Sequence, residues 1–219
     1  MLRRTVLQAG LCAALSLTAL SAHAFTAGTD FVELEKPLPG GEGKLVKIWS
    51  YDCPFCYKYD AGVDPKMVPA MEKASGLHFE MMHLETKGKY GRVASELFAY
   101  CRLEDEKAGR SLEAKDSLFK KAKDAVYTAY HRKGERWAAG EEAFLKTGLT
   151  AAGIAPEVFA EGRKDPAVQA LADSWKPSYD VAKIQGIPAY VVNGKYLVMT
   201  KSIRSIDGLV QLVTELSKK

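Results

Sequence analysis

Apolar residues at strand spacing occupy the two ends of the chain, and apolar residues at helical spacing occupy its middle. Phe31, Val32 and Leu34 lie in a short alternating stretch over 30–35, which reads as an edge strand. Residues 37–43 hold Pro37, Pro39, Gly40, Gly41 and Gly43 and form a turn. The apolar run over 44–49 predicts a central strand, followed by a helix from Cys53 to about residue 60. Gly62 to Pro65 should break or kink that helix, and Met67, Val68 and Met71 continue at core spacing over 67–74. Leu77, Phe79 and Met81 share one face of a third strand over 77–84.

From about Lys89 the strand pattern disappears. Val93, Leu97 and Cys101 fall at i, i+4 and i+8, and Leu118, Ala122 and Val126 repeat the stripe. Helical runs over 143–147, 156–162 and 166–175 follow, with Pro156 and Pro166 near their starts. Strand texture returns at 189–192. Asn193-Gly194, flanked by Tyr190-Val191-Val192 and Tyr196-Leu197-Val198, signals a two-residue hairpin. A final amphipathic helix over 206–216 has Ser205 as its N-cap. The predicted organisation is an α/β domain made of residues 25–88 and 173–219, with an all-helical domain, 89–172, inserted into it.

The first 24 residues stand outside this pattern. Arg3 and Arg4 precede an acid-free apolar stretch from Val6 to Leu20, and Ala22-His23-Ala24 offers a small-x-small cleavage site. This is the layout of a secretory signal peptide cleaved after Ala24, with too short an apolar run for a good membrane span. Arg3-Arg4 matches a twin-arginine signal only loosely, so the general secretion route is the default. Nothing downstream is apolar enough to cross a membrane, which predicts a soluble mature protein. Losing Arg3 and Arg4 leaves 29 basic against 27 acidic residues, a net charge of +2 that gives no reason to expect nucleic acid. Cys12 is lost as well, leaving Cys53, Cys56 and Cys101, too few for a disulfide-built scaffold.

Cys53-Pro54-Phe55-Cys56 is therefore the element with chemistry. A strand–turn–helix places Cys53 at the first turn and Pro54 at the first helical position, where its missing N–H costs nothing. Free N–H groups there favour a thiolate, the form that attacks disulfides. The same spacing fits half a zinc site or a structural disulfide. The buried strand before it, and Ile187-Pro188 far downstream, favour a redox pair. His78 and His83 could add zinc ligands, but five residues apart on a strand they face opposite sides, so no metal is expected.

The element order, an early C-x-x-C and a late proline before a hairpin resemble the thioredoxin superfamily. The helical insertion is similar to that of secreted thiol:disulfide oxidases of the DsbA type. Three stretches, 50–60, 83–88 and 178–196, resemble a specialised branch of that family. The resemblance implies a dithiol oxidase acting as a monomer without a cofactor, in the periplasm. It implies reduced secreted proteins as substrates, among them an arylsulfate sulfotransferase. It also implies an inner-membrane quinone reductase of the DsbB/DsbI type that restores the disulfide.

In that family Cys53 would carry the mixed disulfide and Cys56, buried, would resolve it. Pro188 would be a cis-proline beside the cysteines, with Ile187 available to a substrate strand; an ordinary trans proline at a strand start is the alternative. The sequence departs from the common pattern in having Phe55 between the cysteines where histidine is usual, and Lys47 where many relatives carry an acid. Pro54 and Phe55 add no charge, and Lys47 is expected to supply part of the thiolate stabilisation. Asp60, two turns along from Cys53, is a proton acceptor near Cys56 or else a surface acid. Cys101 reads as a buried free thiol, with a third redox group as the alternative. The basic run over 115–136, with Tyr127, Tyr130, His131 and Trp137, reads as a docking surface or as a solvated helix face. An isomerase or reductase, and a peptide-binding chaperone domain, are the rival functions. The first strand starts about six residues after the cleavage site, which leaves no room for the N-terminal dimerisation module of the secreted isomerases.

Overall fold

The computed structural model describes residues 25–219; the signal-peptide reading and Cys12 lie outside them. A sheet with strand order β1-β5-β4-β2-β3 forms the frame. Its strands are β1 (Phe31–Glu33), β2 (Lys44–Trp49), β3 (His78–His83), β4 (Ala189–Val192) and β5 (Tyr196–Val198). β2 pairs parallel with β3 and antiparallel with β4, and β5 joins β4 to the edge strand β1. Leu45 to Trp49 are all buried. Successive side chains point to opposite faces, so both faces of β2 are covered by other elements. This is the thioredoxin fold, and its helical insertion lies between β3 and the last two strands in the chain.

The helices are α1 (Pro54–Gly62), α2 (Asp64–Ser75), α3 (Gly91–Lys107), α4 (Leu118–Tyr127), α5 (Glu141–Ala152), α6 (Pro156–Gly162), α7 (Pro166–Ser174), α8 (Ser178–Gln185) and α9 (Ile206–Leu216). Between α4 and α5, Thr128–Arg132 forms a π-helical turn. The expected break at Gly62 to Pro65 is narrower than the sequence suggests. Only Val63 separates α1 from α2, because Pro65 sits in the first turn of α2, where it has no hydrogen bond to lose. α8 is absent from the sequence-based expectation. It buries only Ser178 and Val181 while Tyr179 and Ile184 stay exposed, so its apolar residues trace no inward stripe.

Local chemistry accounts for the ends of these elements. Ser205 caps α9 by accepting the Gly208 N–H, as its position predicts. Asn193 and Gly194 both have positive φ, the conformation of a type I′ hairpin turn. A side chain at Gly194 would come within 2.8 Å of the Leu38 carbonyl oxygen. Trp49, at the end of β2, packs its ring against His83 of β3, Phe98 of α3, and Phe119 and Tyr127 of α4. The sheet and the insertion thus share one aromatic core.

Candidate active site

Cys53 is the N-cap of α1 and is joined to Cys56 by a disulfide with a Cα–Cα distance of 5.2 Å. The backbone N–H of Cys56 donates to Cys53 Sγ at 3.1 Å. The sulfur therefore takes the place of a capping oxygen, at the positive end of the helix dipole. Cys53 Sγ also lies 3.5 Å from the Ile187 carbonyl oxygen, and the Ile187–Pro188 peptide bond is cis. Cys56 is fully enclosed, whereas Cys53, itself only 2% exposed, lines a groove of about 480 Å³. Pro54, Phe55, Leu84, Lys87, Tyr179, Ala182, Lys183, Gly186 and Ile187 complete its walls. Phe55, which carries no charge, is 62% exposed on the rim, so it offers apolar contact. A larger groove between residues 32–39 and α8 has neither cysteine in its lining.

Lys47 and Asp60 are brought together in one cluster of charges. Lys47 is completely buried on β2, its ammonium bound to Asp64 and 3.7 Å from Asp60. Asp60 is bound in turn by Lys123, which reaches in from α4 and is also buried, and Tyr190 donates its hydroxyl to Asp64. Two formal positive and two formal negative charges thus form a compact group, so Lys47 is part of a balanced cluster and not a free cation. Burial raises the Asp60 pKa, but Lys123 and Lys47 outweigh it and hold the carboxyl below its usual range. Asp60 is therefore not a surface acid: its carboxylate is largely enclosed, between Lys123 and Lys47.

His78 is exposed and His83 buried, at opposite ends of β3. Among the described residues no group of His, Cys, Asp and Glu side chains is arranged to hold a metal ion. Burial alone pushes the His83 imidazole down to about 3. Cys101 is a buried free thiol whose ionisation burial strongly disfavours, followed by the charge of Asp105. The basic run divides. Tyr127 and Trp137 enter the core, Lys123 pairs with Asp60, and His131 reaches the turn before Cys53, its Nε2 lying 2.9 Å from the Tyr51 carbonyl oxygen.

Sequence reasoning alone does not find Leu84, Lys87, Tyr179, Lys183 and His131 at the site. They come from three separate segments, and only the fold brings them beside Cys53. A helix-capping disulfide on a thioredoxin fold, set against a cis-proline, defines a thiol:disulfide oxidoreductase. No protein-family model matches the chain. The thiol:disulfide interchange protein DsbL of Escherichia coli O6:H1 is 54% identical over 212 residues, 95% of this chain and 94% of its own length. DsbA of Pseudomonas aeruginosa is 28% identical over 88% of this chain and 85% of its own. The crystal structure of DsbL from Salmonella enterica serovar Typhimurium matches with a TM-score of 0.84 at 53% identity, covering 90% of this chain and 100% of that one. The chain belongs to the DsbL/DsbA family of thiol:disulfide interchange proteins.

Proposed function

We propose that the protein is a dithiol oxidase that donates its Cys53–Cys56 disulfide to folding secreted proteins. A client thiolate attacks Cys53 Sγ, the Cys53–Cys56 bond breaks, and Cys56 leaves as a thiolate. A second client thiolate then attacks the client sulfur of the mixed disulfide, forming the client disulfide and releasing Cys53 as a thiolate. The client loses two electrons and two protons in all, and the protein holds the electrons as its dithiol pair. Attack by Cys56 on the mixed disulfide is the reverse of the first step and resolves complexes that stall. The observation that carries this reading is the Cys56 N–H on Cys53 Sγ at a helix N-terminus. It stabilises Cys53 as the leaving thiolate, and a better leaving thiolate makes donation faster and more favourable.

The groove beside Ile187 and Pro188 receives the client segment around its cysteine, with Ile187 offering backbone groups and Phe55 an apolar rim. The protein works as a monomer in the periplasm after removal of residues 1–24. The family resemblance supports an arylsulfate sulfotransferase as a favoured client and a DsbB/DsbI-type quinone reductase of the inner membrane as the partner that takes the two electrons. Reduced, unfolded ribonuclease A separates the readings. An oxidase restores ribonuclease activity stoichiometrically without added oxidant. Rescue of scrambled ribonuclease alone makes the protein an isomerase, and neither outcome leaves a binding domain. Client identity is read by trapping mixed disulfides with Cys56→Ala in periplasm. Recovery of the sulfotransferase supports the assignment, and its absence among trapped proteins overturns it.

A further inference from the structure

The turn that delivers Cys53 runs from Ser50 to Cys53 and is closed by the Cys53 N–H on the Ser50 carbonyl, 3.2 Å away. Its central peptide joins Tyr51 to Asp52. In a four-residue turn this is the unit that can flip between the two common turn types, one of which demands positive φ at the third residue. Asp52 is not among the non-glycine residues with positive φ, so the peptide is held in the unflipped state. His131 Nε2 lies 2.9 Å from the Tyr51 carbonyl oxygen, while the Asp52 side chain accepts from Ser50 Oγ at 3.0 Å.

His131 comes from the helical insertion, eighty residues away in sequence. It sits in the π-helical turn Thr128–Arg132. Such turns shift side chains out of α-helical register and recur at functional sites. The ring lies parallel to Tyr57 of α1, with centroids 4.9 Å apart and planes 6° apart, and Tyr127 and Tyr130 close its other sides. The Tyr51 side chain is fixed independently: its hydroxyl accepts the Tyr90 N–H at 2.9 Å and its ring stacks on His83.

We propose that His131 is a positioning residue of the redox site, holding the Tyr51–Asp52 peptide so that Cys53 stays under the N–H of Cys56 when the disulfide is open. The inference rests on reading Cys53 as the sulfur that attacks and leaves. In the oxidised protein the Cys53–Cys56 bond itself fixes Cys53, and the hydrogen bond from His131 adds little. In the reduced protein that covalent tie is gone and the turn depends on its remaining contacts. A contact that matters more in the reduced form favours that form, and so makes the disulfide more oxidising. The sequence has no histidine between its cysteines; the fold supplies one to the same turn from another domain.

The test uses the full mature protein with His131→Phe, which keeps the stack on Tyr57 and removes the donor, and His131→Gln, which keeps an N–H donor and removes the ring. The readouts are the equilibrium constant with glutathione and the pH titration of the Cys53 thiolate by its ultraviolet absorbance. Thermal unfolding of the oxidised forms controls for folding. His131→Phe is expected to shift the glutathione equilibrium toward the oxidised protein by about three- to tenfold, the range that one net hydrogen bond supports. The thiolate titration should move to higher pH in parallel, and His131→Gln should lie within about twofold of the parent by the same relation. A folded His131→Phe with the parental constant overturns the proposal. So does a His131→Gln displaced as far as His131→Phe, because the ring and not the hydrogen bond would then matter. If the parent protein itself fails to oxidise ribonuclease, the oxidase reading falls instead, and the two failures are told apart.

Discussion

His83 makes the stability of the protein depend on pH through a group that carries no chemistry. Its side chain is fully buried, its Nδ1 is 2.8 Å from Ser95 Oγ, and its Nε2 has no partner among the described residues. Burial pushes the imidazole from 6.5 to about 3 in the folded protein. Below pH 6.5 the unfolded chain therefore binds a proton that the folded chain refuses. This contribution to stability is complete above pH 6.5 and is lost as pH falls toward 3, at about 1.4 kcal/mol per unit. Between pH 6.5 and 4.5 the loss is roughly 2–3 kcal/mol. The lower limit of pH 4.5 keeps Asp60, Glu96 and Asp105 largely out of the measurement; their partners hold all three below the usual carboxylate range, despite the opposing effect of burial. His131 is also pushed down, by burial, so the comparison must be with a variant and not with a calculated curve. The assay is guanidinium unfolding of the oxidised protein and of His83→Gln across this window. The variant should lose roughly 2–3 kcal/mol less than the parent on acidification, whatever its stability at pH 7. Parallel pH profiles for the two proteins would refute the reasoning.

Two further outcomes follow from the site. In the reduced protein, iodoacetamide at pH 6 should alkylate Cys53 and spare Cys56, since only Cys53 lines the groove; mass mapping that finds Cys56 modified first would reverse the roles. Lys123→Met should cost roughly 3–5 kcal/mol by leaving Asp60 and Asp64 to share Lys47 alone in a buried place. A chemical-denaturation loss under about 1 kcal/mol would mean that the cluster behaves as an exposed surface pair.

What the sequence reveals depends on how local each feature is. The C-x-x-C, the strand before it, the Asn193-Gly194 hairpin and the Ser205 cap are all set by neighbours within a few residues, and each stands where its residues suggest. α8 escapes because a helix with Tyr179 and Ile184 facing outward has no inward periodicity to read. The charge cluster escapes because burial is decided by the fold: nothing near Lys47 in the chain shows that Asp60, Asp64 and Lys123 will enclose it. The same holds for His131, which sits in a basic, aromatic run that looks like a solvated helix face. Only the π-helical turn and the packing on Tyr57 aim it at Tyr51. The insertion reaches α1 at both ends in this way, through His131 near Cys53 and through Lys123 at Asp60.

If the fold favours the Cys53 thiolate, as proposed for an oxidising disulfide, the reduced form gains stability over the oxidised one, and comparing the stabilities of the two redox forms tests this. Closing so short a loop as Cys53–Cys56 should stabilise the oxidised protein by only about 2 kcal/mol. A thirtyfold shift of the thiol equilibrium toward thiolate offsets that amount, at about 1.4 kcal/mol per tenfold. The thiolate contribution is complete above the unfolded thiol's ordinary value of about 8.5, declines as pH falls and is gone in acid. Guanidinium unfolding of both forms at pH 7 and pH 3 reads the balance. The reduced protein should have the higher midpoint at pH 7, with the order reversed at pH 3. A higher midpoint for the oxidised protein at pH 7 would contradict it and favour a reductase.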